Sequence, residues 1–230
     1  MNQADSSGVD APLFETVERA SRPNPAAAIV WLHGLGADGH DFEPVVPSLD
    51  VPGGLRFVFP HAPVRPVTIN GGYPMRAWYD IAALDAAPPK DEAGFIASVA
   101  GARRLIDREI AAGFPPERVF VAGFSQGGSV ALHAALTYPQ RLAGIVALST
   151  WLPFPEGLAG ARRPENAATP VFMAHGSQDA VVPEAAGRMA AELLGGWEQP
   201  VAWHSYPMPH AVCPEEVVAI RTWLTERLAA

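Results

Sequence analysis

The chain has 230 residues, 49% of them hydrophobic and 17% charged, and a formal net charge of −8. This suits one α/β domain with a sizeable core, and the acidic balance argues against nucleic acid or an anionic membrane as main partner. The single cysteine, Cys213, excludes an internal disulfide and fits a reducing, cytoplasmic setting.

The first ten residues are polar and acidic, without the basic start and apolar stretch of a signal peptide. No apolar run approaches the length of a membrane span, so no stable membrane insertion is expected. Within residues 1–25, Met1 to Ala11 reads as a loose tail, alternation over Leu13 to Val17 suggests an edge strand, and Ser21 to Pro25 reads as a turn. Residues 26–230 read as one catalytic part.

Ala26 to Leu32 is a compact apolar run, expected to be a central strand. The glycine-rich His33-Gly34-Leu35-Gly36-Ala37-Asp38-Gly39 follows at once. Such a loop lets backbone amides approach a ligand. It lacks the Gly-Lys-Ser/Thr of a P-loop and the spacing of a dinucleotide site. One half of an oxyanion hole, with the Leu35 amide as donor, is the better reading. Asp41 to Leu49 suggests a short helix interrupted by proline, and Leu55 to Phe59 a strand. His61 to Pro89 reads as a long irregular segment. Its Met75, Trp78 and Tyr79 either line an apolar pocket or pin the loop to the core. Asp91 to Ala112 is the clearest helix, with Ile96, Val99, Leu105 and Ile110 as its apolar face and Gly113 as its stop.

Val119 to Phe124 reads as a buried strand and Ser129 to Leu136 as a helix. Between them stands Gly123-Phe124-Ser125-Gln126-Gly127. A serine at a sharp strand-to-helix turn has its hydroxyl pushed clear of the sheet. Side chains two positions either side would collide there, which suits Gly123 and Gly127. The Gln126 amide opens the helix and is placed to meet an oxyanion. The competing reading is a plain glycine-rich turn. Further strands are expected at Gly144 to Leu148, Val171 to Ala174 and Val201 to Tyr206, with helices over Pro183 to Leu194 and Pro214 to Leu228 and a loop over Pro155 to Thr169. This alternation predicts a mainly parallel sheet with helices on both faces.

A serine nucleophile needs a base. Of seven histidines, His210 lies in a loop after the last strand, and the order serine, acid, histidine supports it. Asp179, just beyond a strand end, is the expected acid, with Glu165 and Glu184 as runners-up. The other reading of Asp179 is a turn residue capping the next helix.

These stretches, together with Arg76-Ala77-Trp78-Tyr79-Asp80-Ile81, Ser149-Thr150-Trp151-Leu152-Pro153, His175-Gly176-Ser177-Gln178-Asp179 and Cys213-Pro214-Glu215-Glu216, resemble the phospholipase/carboxylesterase family, which includes bacterial carboxylesterases and acyl-protein thioesterases. The resemblance implies an α/β-hydrolase fold without a large cap domain. It implies a Ser125, Asp179, His210 triad, oxyanion amides at Leu35 and Gln126, and Trp78, Trp151 and Val181 near the acyl channel. The expected mechanism needs no metal and no cofactor, and the histidines show no metal-ligand spacing. Arg76-Ala77-Trp78-Tyr79 is closer to the bacterial esterase form than to the eukaryotic thioesterase form. The expected activity is hydrolysis of short- to medium-chain carboxylic esters through an acyl-enzyme. Thioesterase or lysophospholipase activity on the same triad is the alternative. A serine peptidase, a lactone hydrolase and a non-catalytic binding protein are further readings. The expected substrate is a small-molecule ester, and a homodimer is compatible with the apolar loops near Trp151.

Overall fold

The computed structural model describes residues 14–82 and 91–229; the expected tail at 1–11 lies outside them. A seven-stranded sheet organises the chain. Its strands are β1 (Thr16–Ala20), β2 (Ala27–Leu32), β3 (Leu55–Pro60), β6 (Val119–Phe124), β7 (Gly144–Leu148), β8 (Val171–Gly176) and β9 (Val201–Tyr206). They lie in the order β1-β3-β2-β6-β7-β8-β9. Every neighbouring pair is parallel except β1 with β3. The remaining strands, β4 (Val64–Val67) and β5 (Tyr73–Arg76), form a separate antiparallel hairpin.

Strand alternation divides the core between the two faces. Val30, Leu32, Val119 and Val121 point to one face. There they meet α1 (Glu92–Ala111), α2 (Gln126–Leu136), α3 (Pro155–Ala161) and α4 (Glu184–Gly196). Ile29, Trp31, Phe120 and Ala122 point to the other, under α5 (Pro214–Ala229) and the 3₁₀ turn Glu43–Leu49. This is an α/β-hydrolase fold.

Several local expectations shift. Of the edge strand expected at Leu13 to Val17, Leu13 lies outside the described residues; the strand observed is Thr16–Ala20, which pairs with β3 as part of the main sheet. The segment after Asp41 is a 3₁₀ turn with Pro47 inside it, since proline removes the amide a regular helix needs. The long irregular segment contains the β4–β5 hairpin, and the loop after Pro153 contains α3. Helix α1 buries Phe95, Ser98, Ala102, Leu105, Ile106 and Glu109, whereas Ile96 is 59% exposed. Of the expected face, Leu105 is buried and Val99 and Ile110 pack against the core, while Ile96 lies off it. Glu109 tolerates burial because Arg56 and Arg108 hold its carboxylate at 2.7 and 2.9 Å. Asp91 caps the helix by accepting the Gly94 amide, and its carboxylate also holds Arg65 of the hairpin.

Candidate active site

The site is built on the C-terminal ends of the parallel strands. Ser125 follows β6, the central strand, with φ 53° and ψ −122°. A non-glycine residue at positive φ is strained and must be held by its surroundings. Here the Ser125 amide donates to the Leu148 carbonyl at 2.8 Å, and Thr150 Oγ1 donates to the Ser125 carbonyl at 2.7 Å. The flanking glycines are a steric requirement. A Cβ at Gly123 would lie 2.3 Å from the Gly127 carbonyl oxygen, and one at Gly127 would lie 2.4 Å from that of Leu32. Strand, turn and helix cross too closely for a side chain at either place.

His210 lies in the loop between β9 and α5, and Asp179 in the loop after β8. His210 Nδ1 stands 2.6 Å from Asp179 Oδ2, and Nε2 stands 3.0 Å from Ser125 Oγ. A carboxylate accepts, so Nδ1 carries the proton and Nε2 is left to accept from the serine hydroxyl. The carboxylate is itself fixed, because its Oδ1 accepts the amides of Val181 and Val182 at 2.9 and 2.8 Å. Buried His175 donates from Nε2 to the Val182 carbonyl at 2.8 Å, and the same nitrogen is 3.4 Å from Asp179 Oδ2. Burial pushes the His175 pKa down, so it supports the acid as a neutral ring. The two loops are tied together where Ser177 and Gln178 donate their amides to the carbonyls of Tyr206 and Met208. Of the runner-up acids, Glu184 pairs with Arg188 at 2.9 Å and Glu165 lies exposed in a separate 3₁₀ turn.

The glycine loop forms the opposite wall. His33 is buried and shapes it: Nδ1 donates to the Gly34 carbonyl at 2.7 Å, and Nε2 accepts the Ala62 amide at 3.0 Å. Burial lowers its pKa to about 4, which keeps this tautomer neutral. Gly36, at φ 78°, donates its amide to the Arg76 carbonyl at 2.8 Å. The loop is thereby stitched to β5.

The resulting cleft has a volume of about 220 Å³ and contains Ser125 and His210. Leu35, Gln126, Trp151 and Val181 line it, as the sequence suggests, and so do Ile69, Ile81, Phe124 and Asp41, which the sequence did not single out. Trp78 is a correction. It is fully buried and does not line the cleft; its Nε1 donates to the His33 carbonyl at 2.8 Å, so it braces the glycine loop from behind. Tyr79 is equally buried, edge-on to Phe95. Ile69 lies in the 3₁₀ turn Thr68–Asn70 and Ile81 beyond β5, and the Ile69 amide donates to the Ile81 carbonyl at 2.9 Å, so the fold and no local motif brings both to the cleft.

A buried carboxylate, an oriented imidazole and a serine at a strained turn, on this sheet, define an α/β-hydrolase of the serine type. Residues 14–228 match the family model described as phospholipase/carboxylesterase. The chain is 41% identical over 216 residues to acyl-protein thioesterase 1 of Neurospora crassa, covering 88% of this chain and 87% of that protein. It is 34% identical over 232 residues to "Probable carboxylesterase Os04g0669500" of Oryza sativa subsp. japonica, covering 99% and 87%. The crystal structure of Zea mays acyl-protein thioesterase 2 superposes with a TM-score of 0.80 at 32% identity, covering 93% of this chain and all of that one (100%). The chain belongs to the phospholipase/carboxylesterase family. Among the described residues, no helix is long and apolar enough to cross a membrane.

Proposed function

We propose that the protein hydrolyses carboxylic esters and thioesters of short- to medium-chain acyl groups, through an acyl-enzyme on Ser125. The observation that carries this reading is the unbroken line from Ser125 Oγ to His210 at 3.0 Å and from His210 to Asp179 at 2.6 Å. His210 Nε2 takes the serine proton as Oγ attacks the acyl carbon. Asp179 holds the tautomer and stabilises the imidazolium. The amides of Leu35 and Gln126 receive the oxyanion, each such donor being worth roughly 3 kcal/mol in the transition state. His210 then gives its proton to the departing alcohol or thiol. Water, deprotonated by the same nitrogen, releases the acid and restores the serine.

The names of the relatives favour thioesters, while the motif around Arg76 resembles the bacterial esterases. A cleft of about 220 Å³, walled by Ile69, Ile81 and Trp151, supports an acyl group of limited length. The test is hydrolysis of p-nitrophenyl esters from acetate to palmitate, beside acyl thioesters of matched chains, by wild type and Ser125→Ala. Turnover that peaks at one length and vanishes in the variant supports the proposal. Turnover on neither series overturns it.

A further inference from the structure

Among the described residues that line the cleft, one bears a carboxylate. This is Asp41, on the turn that follows the glycine loop. Its side chain makes no hydrogen bond and no ion pair among the described residues. His40, its neighbour in sequence, is turned to Glu43, with Nδ1 2.9 Å from that carboxylate. Asp38 is the charge that acts on it, and that charge is also negative. Asp41 is thus an uncompensated acid beside the reacting centre.

Its position along the cleft decides what it meets. Phe42, the next residue, packs on Phe124 with ring centroids 5.8 Å apart, and Phe124 packs on His210 at 4.7 Å. The turn that carries Asp41 thus reaches the ring on which His210 packs. The leaving group must depart on the His210 side, because His210 Nε2 protonates it. The acyl group is left with the apolar walls at Ile69, Ile81 and Trp151.

We infer that Asp41 is a specificity-determining residue, which selects esters and thioesters whose leaving group carries an ammonium charge and disfavours those whose leaving group is anionic. This rests on the hydrolase reading above. A carboxylate at a solvent-accessible rim is worth up to about 1 kcal/mol to a nearby cation, or roughly fivefold in kcat/KM. Partial burial and Asp38 both push the Asp41 pKa up, so the preference fades on acidification earlier than an ordinary aspartate would allow.

The experiment compares butyrylcholine with its neutral carbon isostere, in which a tert-butyl group replaces the trimethylammonium. The readout is the quotient of their kcat/KM values, so a general change in rate cancels. The wild type is expected to favour the cation roughly three- to fivefold. Asp41→Asn is expected to bring the quotient to about one, and Asp41→Glu to restore most of it. Salt at about 1 M, where the Debye length is about 3 Å, should erase the preference in the wild type. The same quotient in wild type and Asp41→Asn, with turnover still dependent on Ser125, overturns the role of Asp41 alone. No turnover of any ester or thioester overturns the hydrolase reading and this inference with it.

Discussion

The side chain of Gln126 accepts the backbone amide of Trp78 through Oε1 at 2.8 Å, and its Nε2 donates to the neighbouring Tyr79 carbonyl, also at 2.8 Å. One buried amide thereby stands in for a short stretch of strand pairing. It fastens the first turn of α2, where an oxyanion would bind, to the segment that braces the glycine loop. Gln126→Ala leaves two buried backbone groups without partners while keeping its own backbone N–H. Each orphaned group costs about 1–3 kcal/mol. The expected result is a loss of roughly 2–4 kcal/mol in urea unfolding, together with a fall in kcat. Unchanged stability would show that water replaces the clamp.

Asp179→Asn tests the orientation of the imidazole. The amides of Val181 and Val182 both donate to one carboxylate oxygen. In the variant they select the asparagine oxygen, so its NH₂ turns toward His210. Nδ1 must then accept, Nε2 becomes protonated, and the serine loses its base. The expected fall in kcat is on the order of 10³–10⁴, with the unfolding midpoint little changed. Crystallography of the variant with activity near wild type would refute the tautomer argument.

Gly123→Ala and Gly127→Ala should fail as folds rather than as catalysts. Each new methyl would meet a backbone carbonyl at less than 2.5 Å, and backbone cannot step aside as a side chain can. A loss of roughly 3 kcal/mol or more is expected, read as a lower urea midpoint or as insoluble expression. Gly157→Ala, with open space around it, is the matched control and should be near neutral.

Glu216 gives the pH dependence a sign. It is fully buried near the start of α5, and neither carboxylate oxygen has a hydrogen-bond partner among the described residues. Burial raises its pKa to about 8. The folded chain then holds a proton that the unfolded chain releases. Stability is fully present below the ordinary glutamate range and is lost as pH rises through about 8. The cost is ~1 kcal/mol for each pH unit crossed. Urea midpoints from pH 5 to pH 9 should fall in the wild type and flatten in Glu216→Gln, whose amide keeps the shape without the charge. Parallel slopes for the two proteins would exclude Glu216 as the source.

The elements that carry chemistry were legible because each is dictated by local backbone. Gly123 and Gly127 mark a crossing that tolerates no side chain. Asp179 and His210 stand just beyond strand ends in the order the sheet requires. What stayed hidden depended on distant partners. The buried face of α1 contains Gly101, against which the ring of Phe14 packs, and Glu109, which is neutralised by Arg56 from β3. Neither partner is visible within the helix. The hairpin was masked because Pro66 pairs opposite Pro74 and two glycines, Gly71 and Gly72, make its turn. Prolines and glycines read as irregular chain unless pairing rescues them. Trp78 satisfied both readings of a buried aromatic, and only its bond to the His33 carbonyl decides between them.

The strand order has a consequence for how the enzyme fails. The proposed nucleophile follows β6, fourth of seven strands and flanked on both sides, whereas the proposed base follows β9, at one edge of the sheet. Sheets open from their margins inward, since a border strand has half the neighbours to hold it. Warming should therefore detach the imidazole from the serine while the middle of the sheet is still intact. Inactivation then precedes melting, and it reverses on cooling for as long as the inner strands keep their register.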